Sequence, residues 1–191
     1  MKNKKLIILA IILAPAAIWI LMQNDSSTLK ESESEFAISD TSAVTKIFIA
    51  DKQNNSVLLE RTANGWILDG KYSTNPRVVE ILLETMRRLK VKSPVPKAAR
   101  DNIVKRMSSI GRKVEVYQKA HWINLFDKYK MFPYEKLSKV YYVGDVTPNN
   151  LGTYMLMEDA ADPYVIHIPG FRGFLTPRFS PIPDDWKSHQ V

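Results

Sequence analysis

Residues 44–50, VTKIFIA, and residues 56–61, SVLLER, are two short runs of β-branched and apolar residues separated by the polar stretch 51–55. Two such runs joined by a short polar segment predict a β-hairpin. Asn64 and Gly65 form a strong turn dipeptide, and residues 66–68 predict a third short strand that ends at Asp69 and Gly70. The folded part of the chain is therefore predicted to open with an antiparallel meander.

The hydrophobic pattern then changes to that of a helix. Asn75 is a capping residue and Pro76 suits the first helical position, so we predict that a helix begins here. Its apolar face would comprise Val79, Leu82, Leu83, Met86 and Leu89. After a break at residues 93–96, SPVP, a second helical stretch has Ala99, Ile103, Met107 and Ile110 on one side and Gly111 as its stop. The sequence thus predicts two amphipathic helices that lie side by side or end to end.

Strand-like alternation resumes after the helices. We expect residues 113–119 to form a half-buried strand, and residues 139–143, 152–157 and 164–168 to form further strands. Residues 121–133 are aromatic and basic without a clean period, so we expect an irregular or helical insertion there. The tail, 170–185, is expected to pack as ordered loop with a short helical turn near Leu175. The predicted class is α+β, with antiparallel strands and two inserted amphipathic helices.

An uncharged apolar run, LIILAIILAPAAIWILM, occupies residues 6–22 and directly follows Lys2, Lys4 and Lys5. A bilayer core of about 30 Å needs about 20 apolar residues in a helix, so this run predicts a single-pass transmembrane anchor. Lysines on its N-terminal side place the N-terminus in the cytoplasm and the rest of the protein beyond the inner membrane, in the periplasm. The alternative is a signal peptide that is cleaved after Ala16. The chain has no cysteine, which excludes lipoprotein attachment and disulfides.

Charge divides the chain into three parts. Residues 1–23 hold the cytoplasmic lysines and the anchor. Residues 24–40 carry five acidic residues against one lysine and show no apolar period, which is typical of a flexible linker. Residues 41–191, with 23 Lys and Arg against 15 Asp and Glu, are expected to form one basic extracytoplasmic α+β domain.

Positive charge is concentrated between Arg87 and Lys113, where ten basic residues stand against Asp101 alone. Such a run in a cytoplasmic protein would favour nucleic acid, but the predicted topology argues against that partner. Membrane lipid, anionic envelope polymers and acidic faces of membrane proteins remain as partners. The simpler interpretation is that these residues only solvate the outer faces of the two helices. Candidate residues for docking an acidic partner are Arg87, Arg88, Lys97, Arg100, Lys105, Arg106 and Arg112.

No sequence motif for catalysis, a cofactor or a metal ion is found. The histidines His121, His167 and His189 do not have the spacing of a helical metal site. Turn chemistry and solvation explain the carboxylates near the turn and the C-terminus, which are Glu158, Asp159, Asp162, Asp184 and Asp185. We therefore expect a protein that is not an enzyme and holds no cofactor. If it were an enzyme, His167 with one of these carboxylates would be the best candidate site.

Aromatic residues crowd the C-terminal part of the chain. Tyr142, Tyr154, Phe171 and Trp186 could line a groove for a carbohydrate or a peptide. Packing in the core is the alternative, because aromatic residues in strands ordinarily pack there. Both interpretations stay open at this point.

Several phrases of the sequence, taken in order, resemble a known family. They are FAISDTSAVTKIFIADKQNNSVLLER at 36–61, GWILDGKY at 65–72, KLSKVYYVGDVTPNNLGTYMLM at 136–157 and PYVIHIPGFRGFLTPRFSPIPDDW at 163–186. This pattern resembles the membrane-anchored envelope proteins of Bacteroidetes-type bacteria, domain of unknown function family 4340. The resemblance implies one N-terminal anchor, an extracytoplasmic α+β region and an association with accessory components of ABC-type transport systems related to gliding motility.

Proteins of that family are usually longer and continue past the position of Trp186 into a second β-rich unit. The resemblance therefore implies an uncovered edge or apolar surface near the C-terminus, which would favour a partner or self-association. With the anchor and the charge asymmetry, it leads us to expect a non-enzymatic, membrane-anchored envelope protein that docks on a membrane complex. The alternative is a binding module for envelope glycan or another polymer that uses the C-terminal aromatic residues.

Overall fold

The computed structural model describes residues 35–125 and 129–188. The predicted anchor at residues 6–22, its flanking Lys2, Lys4 and Lys5, and most of the predicted linker lie outside the described residues. Within those two ranges, no helix is both long enough and apolar enough to cross a membrane.

The described part of the chain forms one nine-stranded antiparallel sheet with two α-helices. The strands are β1 (Val44–Ala50), β2 (Ser56–Thr62), β3 (Gly65–Leu68), β4 (Tyr72–Ser73), β5 (Lys90–Pro94), β6 (Arg112–Leu125), β7 (Tyr129–Val146), β8 (Thr153–Met157) and β9 (Tyr164–His167). Their order across the sheet is β4-β3-β2-β1-β6-β7-β8-β9-β5, so β4 and β5 are its edges. The helices are α1 (Pro76–Arg88) and α2 (Lys97–Ile110). The predicted α+β class, with antiparallel strands and two inserted helices, is confirmed.

The predicted meander is confirmed in β1 to β4. Ile47 pairs with Leu59, and Leu59 pairs with Leu68, and all three side chains are fully buried. The turn after β3 holds Asp69 and Gly70 at φ of 52° and 66°, a backbone region that glycine adopts freely and aspartate tolerates. Alternation along these strands therefore directs one face of the sheet into the core.

Helix α1 packs on that buried face. Asn75 caps the helix as predicted, because its side-chain oxygen accepts a hydrogen bond from the N–H of Arg77 at 3.1 Å. The predicted apolar face is also confirmed, since Val79, Leu82, Met86 and Leu89 are buried and Leu83 is partly buried. Full burial of such a side chain stabilises a fold by about 1.5–3 kcal/mol. The contact between α1 and the sheet is therefore a main source of stability.

Aromatic rings fill the centre of the core. Tyr141 on β7 contacts Phe36 and Phe179 edge-to-face, with ring centroids 6.2 and 6.1 Å apart. Phe36 and Ile38 fall within the predicted linker, yet they are only 2% and 1% exposed. The N–H of Ile38 also donates to the carbonyl of Met86 at 3.0 Å. The packed domain thus begins before residue 41, because these two apolar side chains hold residues 36–38 against α1 and the sheet.

Helix α2 lies on the opposite face of the sheet. Tyr141 and Val143 face the core, so Gly144 faces away from it, and a β-carbon on Gly144 would lie 2.8 Å from Cγ of Met107. Within α2, which is described in full, only Met107 is buried, and Ile110 on the predicted apolar side is 46% exposed. The prediction that the two helices lie side by side or end to end is wrong, because the sheet separates them.

Beyond the sheet, β6 and β7 continue as a two-stranded extension. β1 pairs with β6 only as far as Gln118 and β8 pairs with β7 only from Tyr141 onward, whereas β6 and β7 stay paired to Leu125 and Tyr129. We call residues 119–125 and 129–136 the arm. The prediction of an irregular or helical insertion at 121–133 is wrong, because a ribbon outside the sheet has no core face and therefore no strand period in its sequence.

The two edges of the sheet also differ from expectation. The predicted break at 93–96 begins inside β5, an edge strand with all five residues exposed, so no apolar alternation marks it. At the other edge, Lys187 forms an antiparallel bridge with Thr74, and the N–H of Ser188 donates to the carbonyl of Ser73 at 3.0 Å. Lys187 and Ser188 thus line the β4 edge, and the edge left open within the described residues is β5.

Candidate functional site

The last two residues of helix α1, Arg87 and Arg88, are both predicted docking residues. Arg87 forms an ion pair with Glu84 at 2.8 Å, and Arg88 donates to the carbonyl oxygen of Pro169 at 3.0 Å. Both arginines are about half exposed. Because α1 and α2 lie on opposite faces of the sheet, Arg87 and Arg88 do not share a surface with the cations of α2.

Helix α2 carries four more of the predicted docking residues. Arg100 donates to Asp162 at 2.6 Å, and Arg106 forms an ion pair with Asp145. These two contacts attach α2 to the β8–β9 loop and to the end of β7. Lys97 and Lys105 are exposed, and neither forms an ion pair with any residue that the structure describes. The cations of α2 that remain available to a partner are therefore these two lysines.

Arg112 is a structural residue and does not belong to the docking surface. Its guanidinium donates to the carbonyl oxygens of Thr176 and Phe179, which lie in the C-terminal loops. Burial lowers the pKa of Arg112 from its ordinary value. This arginine joins β6 to the loops that cover the core, a role that its position in the basic run does not reveal.

The four aromatic candidates do not form one groove. Trp186 is 1% exposed and its Nε1 donates to the carbonyl of Ser180 at 2.9 Å, so it belongs to the core. Phe171 is 37% exposed and lies 4.5 Å from the guanidinium of Arg178. The hydroxyl of Tyr142 bonds to Glu158 at 3.2 Å. The prediction is wrong for Trp186, because sequence alone does not distinguish a buried tryptophan from a surface one.

Tyr154, the fourth candidate, lines a shallow cavity of about 330 Å³ near the β5 edge. The other walls are formed by β5 and β9 and by the turn after β7, and they include Lys92, Thr147, Asn149 and Val165. This volume is at the lower end of the range for small-molecule sites, about 300–1,000 Å³. The cavity has one aromatic ring and a few polar groups, which suits a sugar more than a large apolar ligand.

His167 and Glu158 lie apart. Ile166 pairs with Thr153 on β8, which places His167 opposite Gly152. Glu158 follows Gly152 by six residues, so His167 and Glu158 are about 20 Å apart along the strands. Glu158 is instead engaged by Lys113 at 3.2 Å, and a hydrogen bond to Glu115 raises the pKa of Lys113. Within the described ranges, no cluster of His, Asp and Glu could hold a metal ion. The acid–base pair that an enzyme would need at His167 is therefore not assembled with Glu158.

The arm is the exposed feature that sequence analysis missed. Phe132 is 62% exposed and Tyr134 is 39% exposed, and Leu137, which follows the arm in β7, is 45% exposed. Phe132 also has φ of 56°, which is rare for a bulky residue. The aromatic and basic composition of 121–133 was a usable signal, but the missing period concealed the strand structure.

Comparison with known proteins adds no relative to this description. No family model matches the chain, and no curated protein and no solved structure is significantly similar to it. These comparisons therefore give no indication of a catalytic function.

Proposed function

We propose that this is a non-enzymatic, membrane-anchored cell-envelope protein whose folded domain docks on a membrane protein complex. The anchor at residues 6–22 would hold it in the inner membrane with the domain in the periplasm. A component of an ABC-type transport system is the kind of partner that the resemblance to family 4340 suggests. The proposal rests on one observation, namely that helix α2 buries only one of its side chains, Met107.

Most helices in proteins depend on the packing of an apolar face for their stability. Helix α2 buries only Met107 and leaves Ile110 46% exposed. Its exposed surface also carries Lys97 and Lys105, which have no ion pair among the described residues. An uncovered isoleucine and two unpaired cations on the same helix fit a surface that an acidic partner covers.

A pull-down from a detergent extract tests this surface. The full-length protein should recover an integral membrane partner, and Lys97→Glu combined with Lys105→Glu should weaken recovery by about tenfold, which corresponds to about 1.4 kcal/mol. These lysines are preferred to Arg100 and Arg106, because reversing either arginine would also break an ion pair that holds α2 in place.

Lys52→Glu combined with Arg77→Glu is the matched control. It changes the net charge by the same amount at two exposed positions that lie in the β1–β2 turn and at the start of α1. The control should recover the partner as the wild type does. Full recovery by the Lys97 and Lys105 variant would show that α2 is only a solvated helix, and the proposal would fail.

A second candidate function, binding of an envelope glycan, is favoured by the cavity beside Tyr154. Its single ring, and the few polar groups among mostly apolar walls, suit one or two sugar units. Calorimetric titration with peptidoglycan or lipopolysaccharide fragments should give a heat of binding that Tyr154→Ala removes and Tyr142→Ala leaves unchanged. The fluorescence of Trp186 should not respond, since this residue is buried in the core. No heat with the wild-type protein would exclude this function.

A further inference from the structure

We propose that the arm contacts the surface of the bilayer that holds the predicted anchor, with its aromatic residues at the membrane–water interface. This inference rests on the proposed membrane anchoring and adds a second point of contact between the protein and the lipid.

The arm is long and stands clear of the sheet. Six residues of β6, 120–125, extend beyond Lys119, whose N–H still bonds to the carbonyl of Ala43. At about 3.3 Å per residue they project about 20 Å. A two-stranded ribbon without further contacts is only marginally stable in water. A surface that covers the arm would therefore stabilise it.

The residue types of the arm are those of a membrane interface. Its two strands, KAHWINL at 119–125 and YKMFPYEK at 129–136, combine Trp, Tyr and Phe with three lysines and one glutamate. Trp and Tyr concentrate at the level of the lipid headgroups, and lysine reaches the phosphates with its stem along apolar surface. The single acid, Glu135, is paired with Lys46 at 2.7 Å. The arm therefore combines a net positive sequence with two aromatic side chains, Phe132 and Tyr134, that are exposed.

The start of the described chain lies at the same end of the sheet as the arm. The carbonyl of Glu35 accepts a hydrogen bond from Lys139, four residues after Glu135 in β7. The side chain of Gln118 donates to the carbonyl of Asp40 at 2.8 Å. Asp40 is thus fixed beside the base of the arm, and Glu35 lies beside Lys139, about 10 Å further along β7.

Covalent geometry limits how far this end of the domain can be from the membrane. Glu35 follows Gln23, the last residue of the predicted anchor segment, by 12 residues. Twelve residues span at most about 40 Å, whatever their conformation. Glu35 therefore stays within about 40 Å of the last anchor residue. The base of the arm lies about 10 Å further along β7, so it stays within about 50 Å of the bilayer surface, and an arm of about 20 Å covers roughly two fifths of that range. We favour lipid over a protein partner because the number of residues between the anchor and Glu35 already keeps the arm close to the bilayer.

The lack of cysteine makes single-site labelling possible. Phe132→Cys and Lys52→Cys, each labelled with the environment-sensitive fluorophore NBD, can be placed in the full-length protein and reconstituted into liposomes of phosphatidylcholine and phosphatidylglycerol. Lys52 is exposed and follows β1 at the end of the sheet away from the arm. At position 132 the emission should shift to the blue, doxyl-labelled lipid should quench it, and aqueous iodide should lose its effect. At position 52 iodide should quench and doxyl lipid should not.

Lys136→Cys places the fluorophore at the base of the arm. Its quenching by iodide and by doxyl lipid should be intermediate between the quenching at position 132 and that at position 52. Iodide quenching that is equal at 132 and 52 would overturn the inference. Protection of position 132 without lipid that rises with protein concentration would indicate self-association, and protection only after addition of membrane proteins would indicate a protein partner. Either result would also overturn it. Flotation of the liposomes tests the anchor separately. If the protein does not float with the liposomes, both the anchoring and this inference are refuted. If it floats and position 132 stays accessible to iodide, only the contact of the arm with lipid is refuted.

Discussion

Replacing Tyr141 by phenylalanine should stabilise the fold. Tyr141 is fully buried, and among the described residues only its hydroxyl is buried without a hydrogen-bond partner. A buried hydroxyl left unpaired costs about 1–3 kcal/mol. Tyr141→Phe removes this oxygen and keeps the ring that packs edge-to-face on Phe36 and Phe179.

The size of the effect follows from two opposing contributions. The cavity left by one oxygen atom should cost about 0.5 kcal/mol, and removing the unpaired group should gain more than that. We expect the free energy of unfolding to rise by about 1 kcal/mol. With an m-value of about 2 kcal/mol/M, the urea midpoint should rise by about 0.5 M.

Urea unfolding of the detergent-solubilised protein, followed by circular dichroism at neutral pH, measures this shift. Tyr142→Phe is the matched control, because Tyr142 is the next residue on the opposite face and its hydroxyl bonds to Glu158 at 3.2 Å. The control should be unchanged or slightly less stable. A loss of about 1 kcal/mol or more in Tyr141→Phe would refute the reasoning, because it would mean that the hydroxyl has a partner such as a buried water.

Alkaline pH provides an independent measurement on the same variant. Burial raises the pKa of Tyr141 above its ordinary value of 10.0, so the folded protein keeps this proton while the unfolded chain releases it above about pH 10. The unfolded state then binds fewer protons than the folded state, and stability falls as the pH rises. The Tyr141→Phe variant has no hydroxyl at this position, so it does not lose this part of its stability. Its advantage over the wild type should therefore grow above about pH 10, since all other tyrosines are common to both proteins.

Three further predictions concern α2, α1 and the outer face of the sheet. Gly144→Ala should lower the free energy of unfolding by about 1–3 kcal/mol. The new β-carbon would lie 2.8 Å from Cγ of Met107 and 3.1 Å from the carbonyl oxygen of Tyr154. An unchanged urea midpoint would mean that α2 does not pack on β7. Asn75→Ala should cost about 1 kcal/mol in the same assay through loss of the cap on α1, and Asn75→Asp should restore it. The hydrogen bond from Lys46 lowers the pKa of Glu135 from 4.5, so the stability that this pair contributes is present above that pH and is lost as the pH falls through the lowered value. Glu135→Gln should flatten the dependence of stability on pH between about pH 5 and 3, and an identical profile in both proteins would contradict the role of this pair.

The elements with strong local signals were predictable from the sequence. The cap at Asn75 and strands β1 and β2 follow from chemistry within a few residues of each position. Strand β5 and the arm were not predictable, because an exposed edge and a ribbon outside the sheet bury no side chains in a regular pattern. The periodicity also does not indicate which face of a sheet a helix will occupy, and α1 and α2 differ in this respect.

The candidate site was less predictable than the fold. Arg112 lies in the same basic run as Lys105, yet one side chain bonds to loops that are distant in sequence and the other is exposed. Trp186 and Phe171 lie in the same aromatic tail, and only the first is in the core. Such differences arise from contacts between residues far apart in the chain, which composition and spacing do not reveal.

Helix α1 has a geometric consequence for the whole sheet, because it connects one outermost strand to the other. Eight spacings of about 4.8 Å would separate β4 from β5 by about 38 Å if the sheet were flat. Thr74 is held to β3 by a hydrogen bond to the carbonyl of Trp66 at 3.3 Å. From Thr74 to Lys90, the 13-residue helix and its short connections reach about 32 Å at most. The sheet therefore cannot be flat and must curve, and the length of this single helix with its connections sets the greatest distance between the two outermost strands.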